Sequence, residues 1–244
     1  MELLKKAFGV VERLGAADRA MTLADLTRQV ALPKPSVYRI LRALVQLGYV
    51  AQDPASSRYS LTGRLSQLGR GGQELELRRL ALPLMERLHR KFDETVNLAV
   101  LEGTDVAYVH VLETTQPLRL MTRPDARDPF HSTSLGRAIA AFLPDDERAE
   151  LLRRADIRPR TSRTLKSREA LEALLRTVRR QGWAEDREEN EPGVVCYGVP
   201  LLRDERPVAA LSVTLPLVRL TATREREIIA ALKNVARHGL GPTA

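Results

Sequence analysis

Leu32-Pro33-Lys34-Pro35-Ser36-Val37-Tyr38-Arg39-Ile40-Leu41-Arg42-Ala43-Leu44-Val45-Gln46-Leu47-Gly48-Tyr49 is the stretch whose reading decides the amino-terminal architecture. Its two prolines bar continuation of any preceding helix, because each lacks an N–H and restricts the residue before it. Pro35 is well suited to the first turn of a new helix. In that helix Val37, Ile40, Leu41, Leu44 and Leu47 fall on one side, and Lys34, Ser36, Tyr38, Arg39 and Arg42 on the other. An amphipathic helix after a short turn, with cations and hydroxyls outward, has what a major-groove reader needs. Lys34 and Ser36 in the first turn can meet phosphates. Arg39 and Arg42, three apart, can reach guanine edges or backbone. For this stretch alone, a helical hairpin with a solvated polar face is the alternative.

The flanks favour the first reading. Gly48 ends the helix, Tyr49–Gln52 reads as a strand, Asp53–Ser57 is turn chemistry, and Arg58–Leu61 reads as the returning strand. Upstream, Thr22 and Asp25 form a capping box that opens a helix running to Val30. Leu3, Leu4, Ala7, Phe8, Val11 and Leu14 make the apolar stripe of a first helix that Gly15 ends. Three helices and a hairpin predict a winged helix-turn-helix over residues 1–62, with the wing carrying Arg58 to backbone or minor groove.

Charge is consistent with a polyanionic partner. The 244 residues carry a net charge of +8, and residues 1–62 hold nine Lys/Arg against five acids. That concentration favours duplex DNA through counterion release, although an arginine-rich composition with solvated basic faces would give the same count. Ten aromatic residues are few for a single-strand or RNA binder built on stacking platforms. A 43% hydrophobic content supports a packed core. No apolar run is long enough to span a bilayer, and the N-terminus lacks a secretory pattern. With Cys196 as the one cysteine, no internal disulfide is available, which fits a reducing cytoplasm.

Gly63, Gly69, Gly71 and Gly72 mark an expected boundary near residue 70, and a helical pattern runs from Glu74 to Phe92, with Pro83 expected to kink it or start a second helix. Residues 63–92 thus read as linker and connecting helix, and its apolar seam can pair with a second copy or pack on its own chain. Beyond it, 93–244 alternate strands and helices. Thr95–Leu101 and Val106–Leu112 form a hairpin, Leu118–Thr122 a third strand, and Trp183–Asp186, Cys196–Leu202 and Val208–Leu215 later strands. Helices are expected over Ser134–Phe142, Asp145–Arg154, Ser167–Gln181 and Thr223–Arg237. The fold class is α+β, with no Rossmann or P-loop spacing.

The chain resembles the IclR family of bacterial transcriptional regulators. The likeness rests on Leu32–Leu41, Leu47-Gly48-Tyr49 and Tyr59–Thr62 in the amino-terminal part. In the carboxy-terminal part it rests on His131–Ile139, Gly182–Gly193, Cys196, Pro200 and Ala209–Val213. The resemblance implies a GAF-like effector-binding domain, a homodimer or tetramer, and a small-molecule effector, expected to be an organic acid or related metabolite, that alters binding to an operator. By position it implies an effector site at Ser134, Leu135, Gly136, Asp186, Val194, Cys196, Ser212 and Thr214. Two places depart from the family pattern. Pro35 stands where a small hydroxyl residue is usual, which removes one phosphate contact, and Tyr197-Gly198 replaces a small or aliphatic pair and could reshape the pocket.

Strand parity supports the same surface independently. Ser212 and Thr214 are two apart and face one way, and Cys196, Gly198 and Pro200 share a parity on another strand. Their hydroxyls and the N–H groups near Ser134 could receive a small acid. The competing readings treat Cys196 as a small buried hydrophobe, Ser212 as a strand filler, and Asp186 as part of a solvated acidic loop. A Cys/His enzyme would need a histidine beside Cys196, and His89, His110, His131 and His238 show no diagnostic spacing. His131, Cys196 and Asp186 are the weak candidates for a metal or redox site. No catalytic residue, metal or cofactor is expected. A docking protein whose large domain only dimerises remains the other alternative.

Overall fold

The structure is a computed structural model and describes residues 2–17, 19–120 and 126–238. The chain divides into two compact units, Met1–Glu74 and Leu75–Ala244.

In the first unit three helices, α1 (Glu2–Gly15), α2 (Leu23–Val30) and α3 (Lys34–Gln46), precede the hairpin β1 (Val50–Gln52) and β2 (Tyr59–Leu61). The capping box forms as read: Thr22 accepts from the Asp25 N–H, and the Asp25 carboxylate accepts from the Thr22 N–H. Ala31 ends α2 in the left-handed conformation, and Pro33 and Pro35 open α3. Val10, Leu14, Met21, Leu26, Val37, Ile40, Leu41, Val50 and Tyr59 form one small core. An antiparallel bridge from Met21 to Tyr59 ties the hairpin beneath the helices.

Two expectations fail here. The stripe on α1 is partly misassigned: Leu14 is buried as expected and Val10, which the stripe omitted, is buried with it, whereas Leu3, Leu4 and Phe8 are exposed. Spacing alone does not separate two apolar faces of one helix. Leu47, the C-cap of α3, is exposed because the helix has already ended and its side chain no longer follows the buried face.

The helix α4 (Arg64–Phe92) runs through Gly69, Gly71, Gly72 and Pro83 without interruption. The boundary expected near residue 70 falls between Glu74 and Leu75, inside a continuous helix, and the division at Pro83 is absent. Gly costs about 1 kcal/mol in a helix interior and Pro about 3. Burial of Leu77, Ala81, Met85, Leu88 and Phe92, one turn apart along a single face, offsets the proline.

The second unit is built on a six-stranded antiparallel sheet. Its strands are β3 (Thr95–Glu102), β4 (Asp105–Leu112), β5 (Arg127–Pro129), β6 (Ala184–Arg187), β7 (Val194–Arg203) and β8 (Arg206–Pro216), in the order β5-β4-β3-β8-β7-β6. The third strand expected at Leu118–Thr122 does not form over Leu118–Leu120, which are irregular, and Met121 and Thr122 lie outside the described residues. The short edge strand β5 takes its place beside β4. Helices α5 (Ser134–Ala140), α6 (Asp145–Arg154), α7 (Arg168–Gln181) and α8 (Ala222–His238) complete the unit.

Two apolar cores lie on opposite faces. One joins α4 and α8 to Val96, Leu98, Val195, Tyr197, Val199, Leu201, Leu211, Val213 and Leu215. The other joins α5, α6 and α7 to Ala99, Val106, Tyr108, Ala184 and Ala210.

Candidate functional site

On the first unit, Lys34, Pro35, Tyr38, Arg39 and Arg42 are exposed and Ser36 is half-buried. Val37, Ile40 and Leu41 are buried beneath them, so α3 divides as its sequence does. Neither Arg39 nor Arg42 has an ion-pair partner among the described residues, leaving both guanidiniums to solvent. Arg58 behaves differently. It is half-buried, and its Nη1 donates to the Ala20 carbonyl at 3.0 Å, bracing β2 against the segment before α2.

In the second unit a small cavity of about 20 Å³ lies between the sheet and the start of α5, lined by Ser134, Leu135, Asp186, Val194, Cys196, Ser212 and Thr214. The sequence had singled out all seven. Gly136, the eighth, does not line it. A Cβ there would lie 2.3 Å from the Phe130 Cα, so this glycine lets α5 pack against the preceding turn. Asn97, Tyr108, Leu120, Thr133, Asn190 and Glu191 complete the wall and were missed by the sequence reading. Asn97 stands opposite Ser212 on β8, a pairing that only the β3–β8 register reveals.

Sheet register assembles the polar wall. Asp186 pairs with Cys196 and Cys196 with Thr214, while Gly198 pairs with Ser212 and Ser212 with Asn97. The Asn97 Nδ2 donates to Ser212 Oγ at 3.3 Å and Thr214 Oγ1 at 3.1 Å, and Thr214 donates to Cys196 Sγ at 3.2 Å. Two buried polar atoms of this wall, Asn97 Oδ1 and Ser134 Oγ, have no hydrogen-bond partner. Such groups cost about 1–3 kcal/mol each. Tyr197 points away from the cavity into the opposite core. Gly198 is the consequential half of that unusual pair, because a Cβ there would sit 2.8 Å from the Ser134 carbonyl oxygen and push α5 off the sheet.

Asp186 is not part of a solvated loop. It is 3% exposed, and its Oδ1 accepts the backbone N–H groups of Glu189 at 2.8 Å and Asn190 at 3.1 Å. Burial pushes its pKa up to about 7 against the pull of those hydrogen bonds and of Arg137. Burial and the Asp186 charge likewise push the Cys196 thiol well up, away from the thiolate form a nucleophile needs. Arg137, 1% exposed, fixes the loop from behind. Its Nε donates to the His131 carbonyl, its Nη1 to the Glu185 carbonyl, and both Nη groups to the Glu189 carboxylate.

His131 does not join Cys196. Its Nε2 lies 3.1 Å from the Arg158 carbonyl, and it lines a separate outer cleft of about 700 Å³ that shares Asn190 and Glu191 with the inner cavity. Among the described residues no three His, Cys, Asp or Glu side chains come together to hold a metal, and no helix is long and apolar enough to cross a membrane. The His238 side chain lies outside the described residues.

Comparison with known proteins agrees with both units. Residues 3–54 match the IclR helix-turn-helix domain, and residues 72–238 match the bacterial transcriptional regulator IclR C-terminal domain. The HTH-type transcriptional regulator KdgR of Escherichia coli K12 is 37% identical over 234 residues, covering 95% of this chain and 89% of that protein. The crystal structure of Thermotoga maritima IclR superposes with a TM-score of 0.65 at 26% identity, covering 97% of this chain and 96% of that one. An IclR homolog from Microbacterium hydrocarbonoxydans, solved with 4-hydroxybenzoate, superposes with a TM-score of 0.60 at 27% identity, covering 97% of this chain and 100% of that one. With a helix-turn-helix unit, an IclR carboxy-terminal domain and relatives matched over nearly its whole length, the chain belongs to the IclR family of transcriptional regulators.

Proposed function

We propose that the protein binds a duplex DNA operator through α3, as a homodimer or tetramer, and that a small-molecule effector seated in the inner cavity alters that binding. The observation that carries the effector half is the pair of buried, unpartnered polar atoms, Asn97 Oδ1 and Ser134 Oγ, in one cavity wall. A purely structural domain gains nothing by keeping two such atoms together, whereas a ligand that bonds them recovers their cost. A family relative solved with a small aromatic acid supports the same reading.

The DNA half rests on the free cations of α3. Lys34 and Ser36 meet phosphates, Arg39 and Arg42 reach bases or backbone, and Tyr38 packs along the groove wall. Arg58 serves the wing by holding its strand and has further donors for a phosphate. The effector residues are Ser134, Leu135, Asp186, Val194, Cys196, Ser212 and Thr214, joined by Asn97, with Gly136 setting the position of α5.

Footprinting the full-length protein on the DNA upstream of its own gene, with and without candidate metabolites, tests both halves. Replacing Arg39 and Arg42 together by Ala is expected to weaken binding by about tenfold or more while thermal stability holds. Unchanged affinity would remove them from the interface. Ser212→Leu fills the cavity and is expected to abolish the metabolite response but not operator binding. A normal response would move the effector site elsewhere.

A further inference from the structure

The inner cavity and the outer cleft share a wall. Asn190 and Glu191 line both, and Pro192 lines the cleft. These residues part a closed space of about 20 Å³ from an open one of about 700 Å³. The sheet side of the cavity is backed by the core under α4 and α8, and the α5 side by the core that α5 shares with α6 and α7. The cavity has room for about one water, so nothing larger enters until a wall gives way.

The shared wall is fastened at both ends and held lightly between them. On one side Thr161 and Thr164 donate to the Glu188 and Glu189 carbonyls, each at 2.6 Å, and Arg137 grips the Glu189 carboxylate. On the other the Gly193 carbonyl accepts from the Leu217 N–H at 2.8 Å. Between these anchors the Asn190 N–H donates to Asp186 Oδ1 at 3.1 Å, and its side-chain oxygen accepts from the Ser132 hydroxyl at 2.8 Å. The Glu191 carbonyl accepts from the Val194 N–H at a long 3.4 Å, and Glu191 and Pro192 are exposed. Two left-handed residues bracket the segment, Glu188 at φ 60° and Gly193 at φ 75°. A Cβ added at Gly193 would meet nothing within 4 Å, so this glycine serves the backbone angle and not the space around it.

We propose that residues 190–192 form a flap that turns about Gly193, joins the inner cavity to the outer cleft, and so makes the cleft the way in for the effector. A few backbone angles at such a position absorb a gating motion. Opening gives up the Ser132 and Asp186 bonds to Asn190, both of which water in the cleft can replace. A filled cavity then holds the flap differently from an empty one, which is the differential contact an effector needs to favour one state. The inference rests on reading the inner cavity as the effector site, but its test reads access alone.

The experiment follows alkylation of Cys196 by iodoacetamide in the full-length protein, read by peptide mass. Cys196 is the chain's one cysteine and lines the inner cavity, so modification of its Sγ reports entry with no effector needed. Asn190→Ala, which removes the latch oxygen and thins the wall, is expected to raise the rate about five- to tenfold, and Ser132→Ala about fivefold. Leu120→Ala, in another wall, is expected to leave it unchanged. The rate is expected to ignore urea well below the unfolding midpoint, as for an opening that exposes little surface. Ser132→Cys combined with Asn190→Cys and closed by oxidation is expected to slow Cys196 at least about tenfold, and reduction to restore it. A rate unmoved by Asn190→Ala, raised by Leu120→Ala alone, or rising with urea in step with global unfolding overturns the flap. The metabolite footprint decides separately whether the cavity is an effector site, so a working flap without a metabolite response would fault that reading and not this one.

Discussion

Along β7, Val195, Tyr197, Val199 and Leu201 enter the core shared with α4 and α8, while Cys196, Gly198 and Pro200 face α5. Along β8, Leu211, Val213 and Leu215 take the first side, Ser212 and Thr214 the second. The two faces are made from alternate residues of the same strands, so they share register, twist and backbone hydrogen bonds. They differ only in what the side chains were selected to do. The first face is dry along these strands, and the unpartnered atoms on its side, Arg203 Nε and Arg224 Nε, belong to arginines that pair through another nitrogen with Glu76 and Glu94. The second keeps two buried polar atoms unpartnered and a carboxyl group at the edge of ionisation. One face supplies stability and the other gives some of it up, the pattern expected where binding sets the sequence.

The comparison is most severely tested by removing the brace behind the polar face. Arg137→Ala leaves Glu189 and two backbone carbonyls without their buried donor. It is expected to destabilise the protein by about 3–5 kcal/mol, read from the urea midpoint. A change below about 1 kcal/mol would mean that the loop after β6 is not held in the way described.

Asp186 gives the next largest effect. Its folded pKa, about 7, lies above its ordinary value of 3.8. Below the ordinary value both states hold the proton and there is no penalty. As pH rises from there to about 7, the unfolded chain ionises first and stability falls, levelling off above. By linkage the fall amounts to roughly 4 kcal/mol at about 1.4 per unit. Asp186→Asn is expected to flatten the stability profile across that window. A wild-type profile that rises there would place the charged form in the folded state and sink the reading of a buried, proton-holding carboxyl.

A direct contrast between the faces comes third. Leu211→Ala on the dry side is expected to cost about 2–3 kcal/mol, from lost burial plus the cavity left behind. Its neighbour Ser212→Ala, which removes one acceptor of the Asn97 amide, is expected to cost under about 1 kcal/mol. Comparable losses would erase the distinction between the faces.

Much of this was legible in the sequence wherever a local rule acts alone. Prolines placed α3, a capping box placed α2, and parity put Ser212 with Thr214 and Cys196 with Gly198. The failures lie where tertiary packing outweighs the local rule. Pro83 does not divide α4, because its buried stripe from Leu77 to Phe92 holds the helix together. Leu3, Leu4 and Phe8 occupy helical spacings as regular as that of the buried pair Val10 and Leu14. Gly136 looked like a ligand contact and is a close-packing position, a distinction set by Phe130, which follows a different element. Asn97 was missed because a single amide in an otherwise apolar strand becomes informative only once its partner strand is known.

Ser134 yields the smallest effect and the one whose sign is most telling. Its hydroxyl is buried without a partner, so Ser134→Ala breaks no hydrogen bond and releases a desolvated oxygen from the first turn of α5. Alanine is also the better helix former. The substitution is expected to stabilise the protein by about 0.5–1 kcal/mol, a rise of a few degrees in Tm, while weakening the response to any effector that the cavity holds. Opposite signs for stability and response would separate a group kept for binding from one kept for folding. If Ser134→Ala instead lowers Tm as Ser212→Ala does, the hydroxyl has a structural partner in solution, and the polar face is only a second, wetter core.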